Sequence, residues 1–280
     1  MSNSAVQVSI ESSGLTDPGR VREKNEDHFV IAAVRKSIEV ERSSLSDEVL
    51  ANRFGTTGAH LYAVADGVGG RPGGERASEL AVAALLDYLG HAAGCFQGLD
   101  ADREDELLSK LEDTIRDVHA RLLSEAAVEG DKVPATTLTL VLLVWPRAYL
   151  VHVGDSRAYA RRRGKLERLT RDQTIGEYML GVGAWTESQA SRPGPAAALA
   201  SAIGGSEIAP VVGLVDLEPG DALVLCTDGL SKHVPDDQIA AALAGRDDAA
   251  TIGRRLVDQA LEAGGTDNVT VLVVKTAAAS

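Results

Sequence analysis

Residues Leu61–Gly70 read LYAVADGVGG, a short apolar run that stops at an aspartate followed by glycine. A run of four to eight apolar residues bounded by turn residues is typical of a buried strand, so we predict a strand over Leu61–Ala65. Asp66 and Gly67 then stand at the strand end, where such a pair most often forms a turn. Acidic residues at strand ends recur along this chain.

Four further acidic clusters flank predicted strands. They are Glu26-Asp27 before Phe29–Val34, Asp155 between Ala148–Val153 and Arg157–Arg161, Asp228 after Ala222–Cys226, and Asp267 before Val269–Lys275. Taken alone, each cluster has an ordinary explanation as a turn, a cap or a solvated surface pair. Taken together, strands whose ends meet would bring several carboxylates to one edge of a layered sheet.

The remaining pattern is a block of strands, two helices, many strands, two helices and a strand. Apolar residues at helical spacing predict helices over Glu75–Leu89, Asp102–Ala127, Asp236–Leu243 and Asp248–Ala263. Further strands are predicted around Val6–Ile10, at a sheet edge, and over Thr136–Trp145 and Val211–Leu217. We expect the three short strands between 136 and 161 to form an antiparallel meander. This blocked order favours α+β layering over alternating βαβ units.

We expect a single domain over residues 1–280, because no repeat and no linker divides the chain. Arg35–Ala59 is polar and mixed in charge, and we interpret it as an insertion loop with one helical turn around Asp47–Ala51. Asp172–Gly205 is predicted to be irregular, and a loop of that length is usually functional or mobile.

Composition excludes several classes of function. The net charge of −13 and the aromatic content of 4% oppose a nucleic-acid-binding surface. The longest apolar run, Leu138–Trp145, is too short to span a bilayer, and Met1–Ser13 has no signal-peptide pattern. We therefore expect no nucleic-acid or membrane partner and a cytoplasmic location, with Cys226 as an unreactive core residue.

The clustered carboxylates point to bound cations. Several carboxylates in one pocket would repel one another, and Mg²⁺ or Mn²⁺ would remove that repulsion because both ions select oxygen ligands. Gly67 would let an ion approach its backbone carbonyl. Two cations about 3.5–4 Å apart can share a water, lower its pKa and stabilise a phosphoryl displacement. Arg22 could hold a pair of phosphate oxygens, or it could form a surface ion pair with Glu23 or Glu26.

The ordered set of motifs resembles a known family. The motifs run in the order Arg22, Glu26-Asp27, Asp66-Gly67-x-Gly69-Gly70, Gly154-Asp155-Ser156-Arg157, Thr227-Asp228-Gly229 and Thr266-Asp267-Asn268. They are similar to the metal-dependent protein phosphatases (PPM), the type 2C serine/threonine phosphatases, in their bacterial form. The resemblance implies a four-layer α-β-β-α sandwich, an α+β fold in which helices flank two antiparallel β-sheets. It also implies hydrolysis of phosphoserine and phosphothreonine by a water or hydroxide that bridges two Mn²⁺ or Mg²⁺ ions.

The resemblance further implies roles for individual residues. The metal ligands would be Glu26, Asp27, Asp66, the Gly67 carbonyl, Asp228 and Asp267. Asp66 would bridge both ions and, with Arg22 on the substrate phosphate, form the catalytic pair. Glu26 would act mainly through a water, while Asp27 would support the cluster or the second ion. Asp155 would be the ligand of a third, weaker ion, and Asp172–Gly205 would be a flap beside the active site.

The expected partners follow from the same resemblance. They are phosphorylated proteins, namely substrates of a serine/threonine kinase and that kinase itself, and we expect the phosphatase to be a monomer.

Three positions depart from the family pattern. Val68 stands where some relatives have a histidine that could protonate the leaving alcohol, so the acid would be a water or a metal-bound water. Thr170-Arg171-Asp172-Gln173-Thr174 replaces the usual Thr-x-Asp-His-Ser. The third departure is the length of Arg35–Ala59. None of the three removes a predicted primary metal ligand.

Other functions fit the sequence less well. The glycine-rich stretch Gly67–Gly74 lacks the Gly-Lys-Ser/Thr of a P-loop. Ala158 breaks a Gly-x-Ser-x-Gly nucleophile elbow around Ser156. The remaining alternative is a catalytically weak relative of the same fold that binds or senses phosphoproteins, and the intact aspartates at 66, 228 and 267 oppose it.

Overall fold

The computed structural model describes residues 8–34, 58–68, 73–92, 101–129, 133–192 and 194–279. Within them, ten strands and seven α-helices follow in an order close to the one predicted. The strands are β1 (Val8–Asp17), β2 (Asp27–Val34), β3 (Ala59–Asp66), β4 (Leu138–Val144), β5 (Arg147–Val153), β6 (Arg157–Arg162), β7 (Lys165–Arg168), β8 (Val211–Asp216), β9 (Ala222–Cys226) and β10 (Val269–Ala278). The helices are α1 (Gly74–Ala92), α2 (Ala101–Glu129), α3 (Ile175–Gly181), α4 (Glu187–Ala190), α5 (Asp228–Ser231), α6 (Asp236–Ala244) and α7 (Ala249–Glu262), with a 3₁₀ turn at Pro195–Ala197.

The described strands form two antiparallel sheets of five strands each. The first sheet has the order β1-β10-β9-β6-β7, and the second has the order β2-β3-β4-β5-β8. β1 lies at an edge of the first sheet, as its alternating pattern predicted. β4, in contrast, is central and buried along its whole length, which explains its continuous apolar sequence LTLVLLV.

Three buried clusters define four layers. Side chains such as Tyr62, Leu143 and Leu225 fill the space between the two sheets. The outer face of the second sheet packs against α1 and α2, through residues such as Leu85 and Leu111. The outer face of the first sheet packs in the same way against α6 and α7. The predicted α+β sandwich, helix on sheet on sheet on helix, is confirmed.

Helix α7 shows how local sequence produces this packing. Asp248 caps its N-terminus, and the carboxylate accepts a hydrogen bond of 2.6 Å from the amide of Thr251. Ile252, Leu256 and Val257 recur at helical spacing and are fully buried against the first sheet. The charged residues between them face the solvent.

The predicted meander is wrong, because the three strands belong to two sheets. β4 and β5 pair in the second sheet, whereas β6 pairs with β7 and β9 in the first. The chain crosses between the sheets at Gly154–Ser156, where Gly154 has a φ of 108°. That crossing places the loop at the edge where both sheets end.

Two predicted segments need correction. The insertion Arg35–Ala59 ends one residue too late, because Ala59 begins β3; its proposed turn around Asp47–Ala51 lies outside the described residues. The segment Asp172–Gly205 is not irregular throughout, since it contains α3, α4 and the 3₁₀ turn. In the described part of the chain, no helix is long and apolar enough to cross a membrane. Cys226 is fully buried, as predicted.

Candidate active site

A pocket of about 340 Å³ opens where the two sheets end. Its lining includes six of the predicted site residues, namely Arg22, Asp66, Gly67, Asp155, Asp228 and Asp267. The opposite wall is built by the segment after the 3₁₀ turn, from Leu199 to Glu207. Glu26 and Asp27 do not line the pocket and lie beside it.

The convergence follows from strand register. Asp27 at the start of β2 pairs with Asp66 at the end of β3 in the second sheet. In the first sheet, Cys226 at the end of β9 lies between Arg157 of β6 and Val271 of β10. The loops that carry Asp155, Asp228 and Asp267 therefore meet the end of β3. Residues as far apart in sequence as Asp27 and Asp267 share one edge for this reason.

Asp27 connects the two sheets below the pocket. Its Oδ2 accepts hydrogen bonds from the hydroxyls of Thr227 at 2.8 Å and Thr270 at 2.7 Å. Its Oδ1 is buried and has no hydrogen-bond partner among the described residues. Burial raises the pKa of Asp27 to about 7, although the two hydroxyls oppose that rise.

The carboxyl of Asp66 is surrounded by the charges of four other aspartates. Its backbone carbonyl accepts bonds from the Thr137 amide and the Thr136 hydroxyl, both at 2.9 Å, which holds the end of β3. Burial raises the pKa of Asp66 well above its usual value, and the charges of Asp27 and Asp228 raise it further. A cation bound beside Asp66 would lower that pKa again.

Asp155 lies on the loop that crosses between the sheets. The adjacent Gly154 is held by Gln173, whose Oε1 accepts from the Gly154 amide at 2.9 Å and whose backbone amide donates to the Gly154 carbonyl at 2.7 Å. The Nε2 of Gln173 donates to the carbonyl of Ala209 at 2.8 Å. Gln173, one of the departures from the family pattern, therefore fixes this loop. Burial and the charge of Asp228 raise the pKa of Asp155 to about 8.

Asp267 differs from the other carboxylates because protein cations surround it. Arg22 Nη2 donates a hydrogen bond of 3.0 Å to its Oδ2, and Arg22 Nε lies 2.8 Å from its Oδ1 in an ion pair. Lys232 Nζ lies 3.2 Å from Oδ2 of the same side chain. Burial alone would raise the pKa of Asp267, but the Arg22 and Lys232 contacts outweigh it and lower that pKa.

Lys232 was missed by the sequence reasoning. Its ammonium also forms an ion pair with Oδ2 of Asp228, four residues earlier in the chain. A spacing of four residues from a predicted ligand was the signal available, because such pairs face each other on one turn of helix. Thr227, Thr270 and Asn268 were also given no role. Asn268 Oδ1 accepts from the Glu26 amide at 2.9 Å.

Gly67 is required by a close backbone approach. A Cβ at this position would lie 2.5 Å from the carbonyl carbon of Gly74, the first residue of α1. The Gly67 amide donates to the Glu26 carbonyl at 3.1 Å, so Glu26 is held beneath the same turn. Gly67 lines the pocket, and its carbonyl remains a predicted metal ligand.

The donor set suits hard divalent cations, although the side chains are not arranged as a finished site. Among the described residues, no three His, Cys, Asp or Glu side chains stand close enough to hold one ion as they are. Two carboxylate oxygens, Oδ1 of Asp27 and Oδ1 of Asp228, are nonetheless buried without a hydrogen-bond partner in the described chain. Buried carboxylate oxygens without donors are what Mg²⁺ or Mn²⁺ would satisfy.

Two stacked antiparallel sheets with flanking helices are the fold of the metal-dependent protein phosphatases, the class to which similar solved structures belong. The chain belongs to the protein phosphatase 2C family, whose profile matches residues 41–267.

Relatives from several bacteria agree with this placement. The chain is 35% identical over 243 residues to the serine/threonine protein phosphatase PstP of Mycobacterium tuberculosis, an alignment that covers 86% of this chain and 44% of PstP. It thus spans less than half of that relative. It is 30% identical over 271 residues to the protein phosphatase PhpP of Streptococcus pneumoniae, covering 95% and 97% of the two chains.

A solved structure with bound metal is also similar. The crystal structure of the PstP catalytic domain in complex with two manganese ions superposes with a TM-score of 0.72 at 31% identity. The superposition covers 97% of this chain and 100% of that one. The fold expected from the sequence is therefore the fold of this family.

Proposed function

We propose that this chain is a metal-dependent protein phosphatase that hydrolyses phosphoserine and phosphothreonine in one step. The observation that carries the proposal is the convergence of four predicted carboxylates, Asp66, Asp155, Asp228 and Asp267, on one pocket that Arg22 also lines, with Asp27 beside it. Family membership supports it, because the similar protein PstP is a serine/threonine protein phosphatase.

The proposed roles follow the positions of the side chains. Asp66, Asp228 and Asp267 would hold the ions, with the Gly67 carbonyl and Glu26 on the side of α1. Asp27 is best placed to support Asp66 from below, because its Oδ2 is already committed to Thr227 and Thr270. When bound, Mn²⁺ or Mg²⁺ would supply an activated water and neutralise phosphate charge.

Arg22 is proposed to bind the substrate phosphate. Its side chain is 40% exposed at the pocket, and its guanidinium contacts both oxygens of Asp267. A phosphate offers the same pair of oxygens, so an incoming phosphoryl group can engage the guanidinium in the same geometry. When the substrate binds, its phosphate would therefore either displace Asp267 from the Arg22 guanidinium or contact the guanidinium together with Asp267.

The segment Asp172–Gly205 is proposed to select the substrate. The segment enters the pocket wall through Ala197–Ala202, and its helix α3 leaves Tyr178 and Val182 about 60% exposed. Exposed apolar side chains on a segment that reaches the pocket suit the flanking residues of a phosphopeptide. The proposed partners are the substrates of a serine/threonine kinase and the kinase itself, met by a monomeric phosphatase.

Hydrolysis of a phosphothreonine peptide tests the proposal. We expect phosphate release with Mn²⁺ or Mg²⁺ and background release with excess EDTA, because the carboxylate cluster cannot act without a divalent ion. Restoring Mn²⁺ to the EDTA-treated protein should restore the rate. Turnover that survives EDTA would exclude the metal mechanism, and phosphopeptide binding without turnover in Mn²⁺ would favour the sensor alternative.

Replacing Arg22 tests its role separately. At saturating Mn²⁺, Arg22→Ala should raise KM for the phosphopeptide by about tenfold or more, the loss expected for charge-assisted hydrogen bonds, with kcat within about threefold of wild type. The KM of Arg22→Lys should lie between those of wild type and Arg22→Ala, because lysine keeps the charge and loses the forked geometry. A collapsed kcat with an unchanged KM would show that Arg22 has another role.

A further inference from the structure

Lys232 holds the carboxylates to which a metal ion would bind. Its ammonium pairs with Oδ2 of Asp228 and lies 3.2 Å from Oδ2 of Asp267. We propose that Lys232 is an internal cation that competes with divalent metal ions for Asp228 and Asp267, and so lowers the metal affinity of this protein. The inference rests on the proposed metal site.

The contacts of Asp267 place Lys232 in competition with an ion at Oδ2. Oδ1 accepts from the Asn268 amide at 3.1 Å and lies 2.8 Å from Arg22 Nε in an ion pair. Oδ2 accepts from Arg22 Nη2 at 3.0 Å and from Lys232. Since a carboxylate oxygen has two lone pairs, Oδ2 already has two donors, and an ion that binds this oxygen must displace one of them.

Lys232 is the donor that can leave more easily. Arg22 contacts both oxygens of Asp267, Oδ2 through a hydrogen bond and Oδ1 through an ion pair, whereas Lys232 reaches it with a single ammonium on a flexible stem. The Lys232 side chain is 45% exposed, so the ammonium can move into water. Its backbone stays fixed, because its amide donates to the Asp228 carbonyl at 2.8 Å.

Asp228 can meet an ion more readily than Asp267. Its Oδ1 is buried and has no partner within the described residues, while Oδ2 carries the Lys232 ion pair. An ion that binds Oδ1 of Asp228 would lie close to the ammonium, and like charges at that range repel. The same lysine therefore opposes metal binding at both aspartates, and it stabilises the metal-free cluster by neutralising part of its charge.

Isothermal titration of the purified full chain with Mn²⁺ tests the inference. Lys232→Met should bind Mn²⁺ about three- to tenfold more tightly than wild type, the range expected for removing a partly exposed charge contact. Lys165→Met removes the same charge from β7, outside this pocket, and should leave the affinity at the wild-type value. Lys232→Arg keeps the positive charge and should bind no more tightly than wild type.

Thermal unfolding supplies a second readout that does not depend on activity. Metal-free Lys232→Met should melt below wild type, and its melting temperature should rise more on addition of Mn²⁺. If Lys232→Met does not fold, Lys232→Gln serves in both experiments. A Mn²⁺ affinity of Lys232→Met equal to or weaker than that of wild type would overturn the inference. If the affinity is unchanged and KM for the phosphopeptide is raised, Lys232 is a phosphate ligand instead.

The outcome separates this inference from the proposed function. If wild type binds Mn²⁺ and Asp66→Asn does not, the pocket is a metal site, and the Lys232 variants then test only whether Lys232 competes with the ion. If wild type binds no Mn²⁺ in the pocket, the proposed function is wrong, whatever the Lys232 variants do.

Discussion

Asp66→Asn is expected to reduce kcat on a phosphothreonine peptide by at least about 10³-fold, the upper end of what losing one preorganised electrostatic contact costs. Asp66 lies at the end of β3, where Asp27, Asp155, Asp228 and Asp267 all act on its carboxyl. An asparagine keeps the shape and removes the charge that would bind both ions. Steady-state kinetics over a Mn²⁺ titration measures the effect, so that weak metal binding is separated from lost catalysis.

Asp228→Asn should behave in the same way, because its Oδ1 is one of the two buried carboxylate oxygens without a partner in the described chain. The matched control is Asp258→Asn, which makes the same change at an exposed position on α7. Its kinetics should equal those of wild type. If either pocket variant turned over at close to the wild-type rate with enough Mn²⁺, its carboxylate would not be a metal ligand.

Gly229→Ala should destabilise the fold by about 3 kcal/mol, at the high end for forced overpacking of a buried site. A Cβ at Gly229 would lie 1.9 Å from the backbone oxygen of Asn268, a contact that requires α5 to move away from the start of β10. That movement would separate Asp228 from Asp267. We expect the melting temperature to fall by about 5–10 °C, together with loss of Mn²⁺ binding.

Gly253→Ala is the control for this substitution. Gly253 lies within helix α7, and a Cβ there would meet Val273 at an ordinary contact distance of 3.8 Å. Alanine in a helix interior is favoured over glycine by about 0.5–1 kcal/mol, so this variant should melt at or above the wild-type temperature. A Gly229→Ala protein as stable as Gly253→Ala would mean that the contact with Asn268 is not tight.

The fold was predictable because its elements carry strong local patterns. Continuous apolar runs marked β4 and β9, and helical spacing marked α1, α2 and α7. In contrast, β7 has the polar, mostly exposed sequence KLER, so no hydrophobic pattern reveals it. The short helices α3, α4 and α5 are below the length at which periodicity can be recognised.

The meander was mispredicted because strand pairing is not local. The sequences of β5 and β6 are compatible with a hairpin, yet β6 pairs with β9, more than 60 residues away. The choice depends on packing between whole sheets, which no short stretch of sequence specifies. The same crossing brings Asp155 to the pocket. The error therefore affected the predicted path of the chain and did not affect the placement of Asp155 at the site.

Acidic strand ends identified most of the candidate site. They could not show which carboxylates are already paired inside the protein. Asp267 has two protein cations and Asp27 has two hydroxyls, and these partners come from residues whose types are common at surfaces and in strands. Side-chain direction decides such pairings, and sequence spacing gave a signal only for Lys232.

Anomalous diffraction at the manganese edge, from crystals soaked in Mn²⁺, tests the convergence of carboxylates on a metal pair most directly. We predict two manganese peaks in the pocket, with the Asp66 carboxylate contacting both and Asp228 and Asp267 contacting one. Crystals that bind manganese only elsewhere, with these three aspartates still held by protein donors alone, would contradict the account.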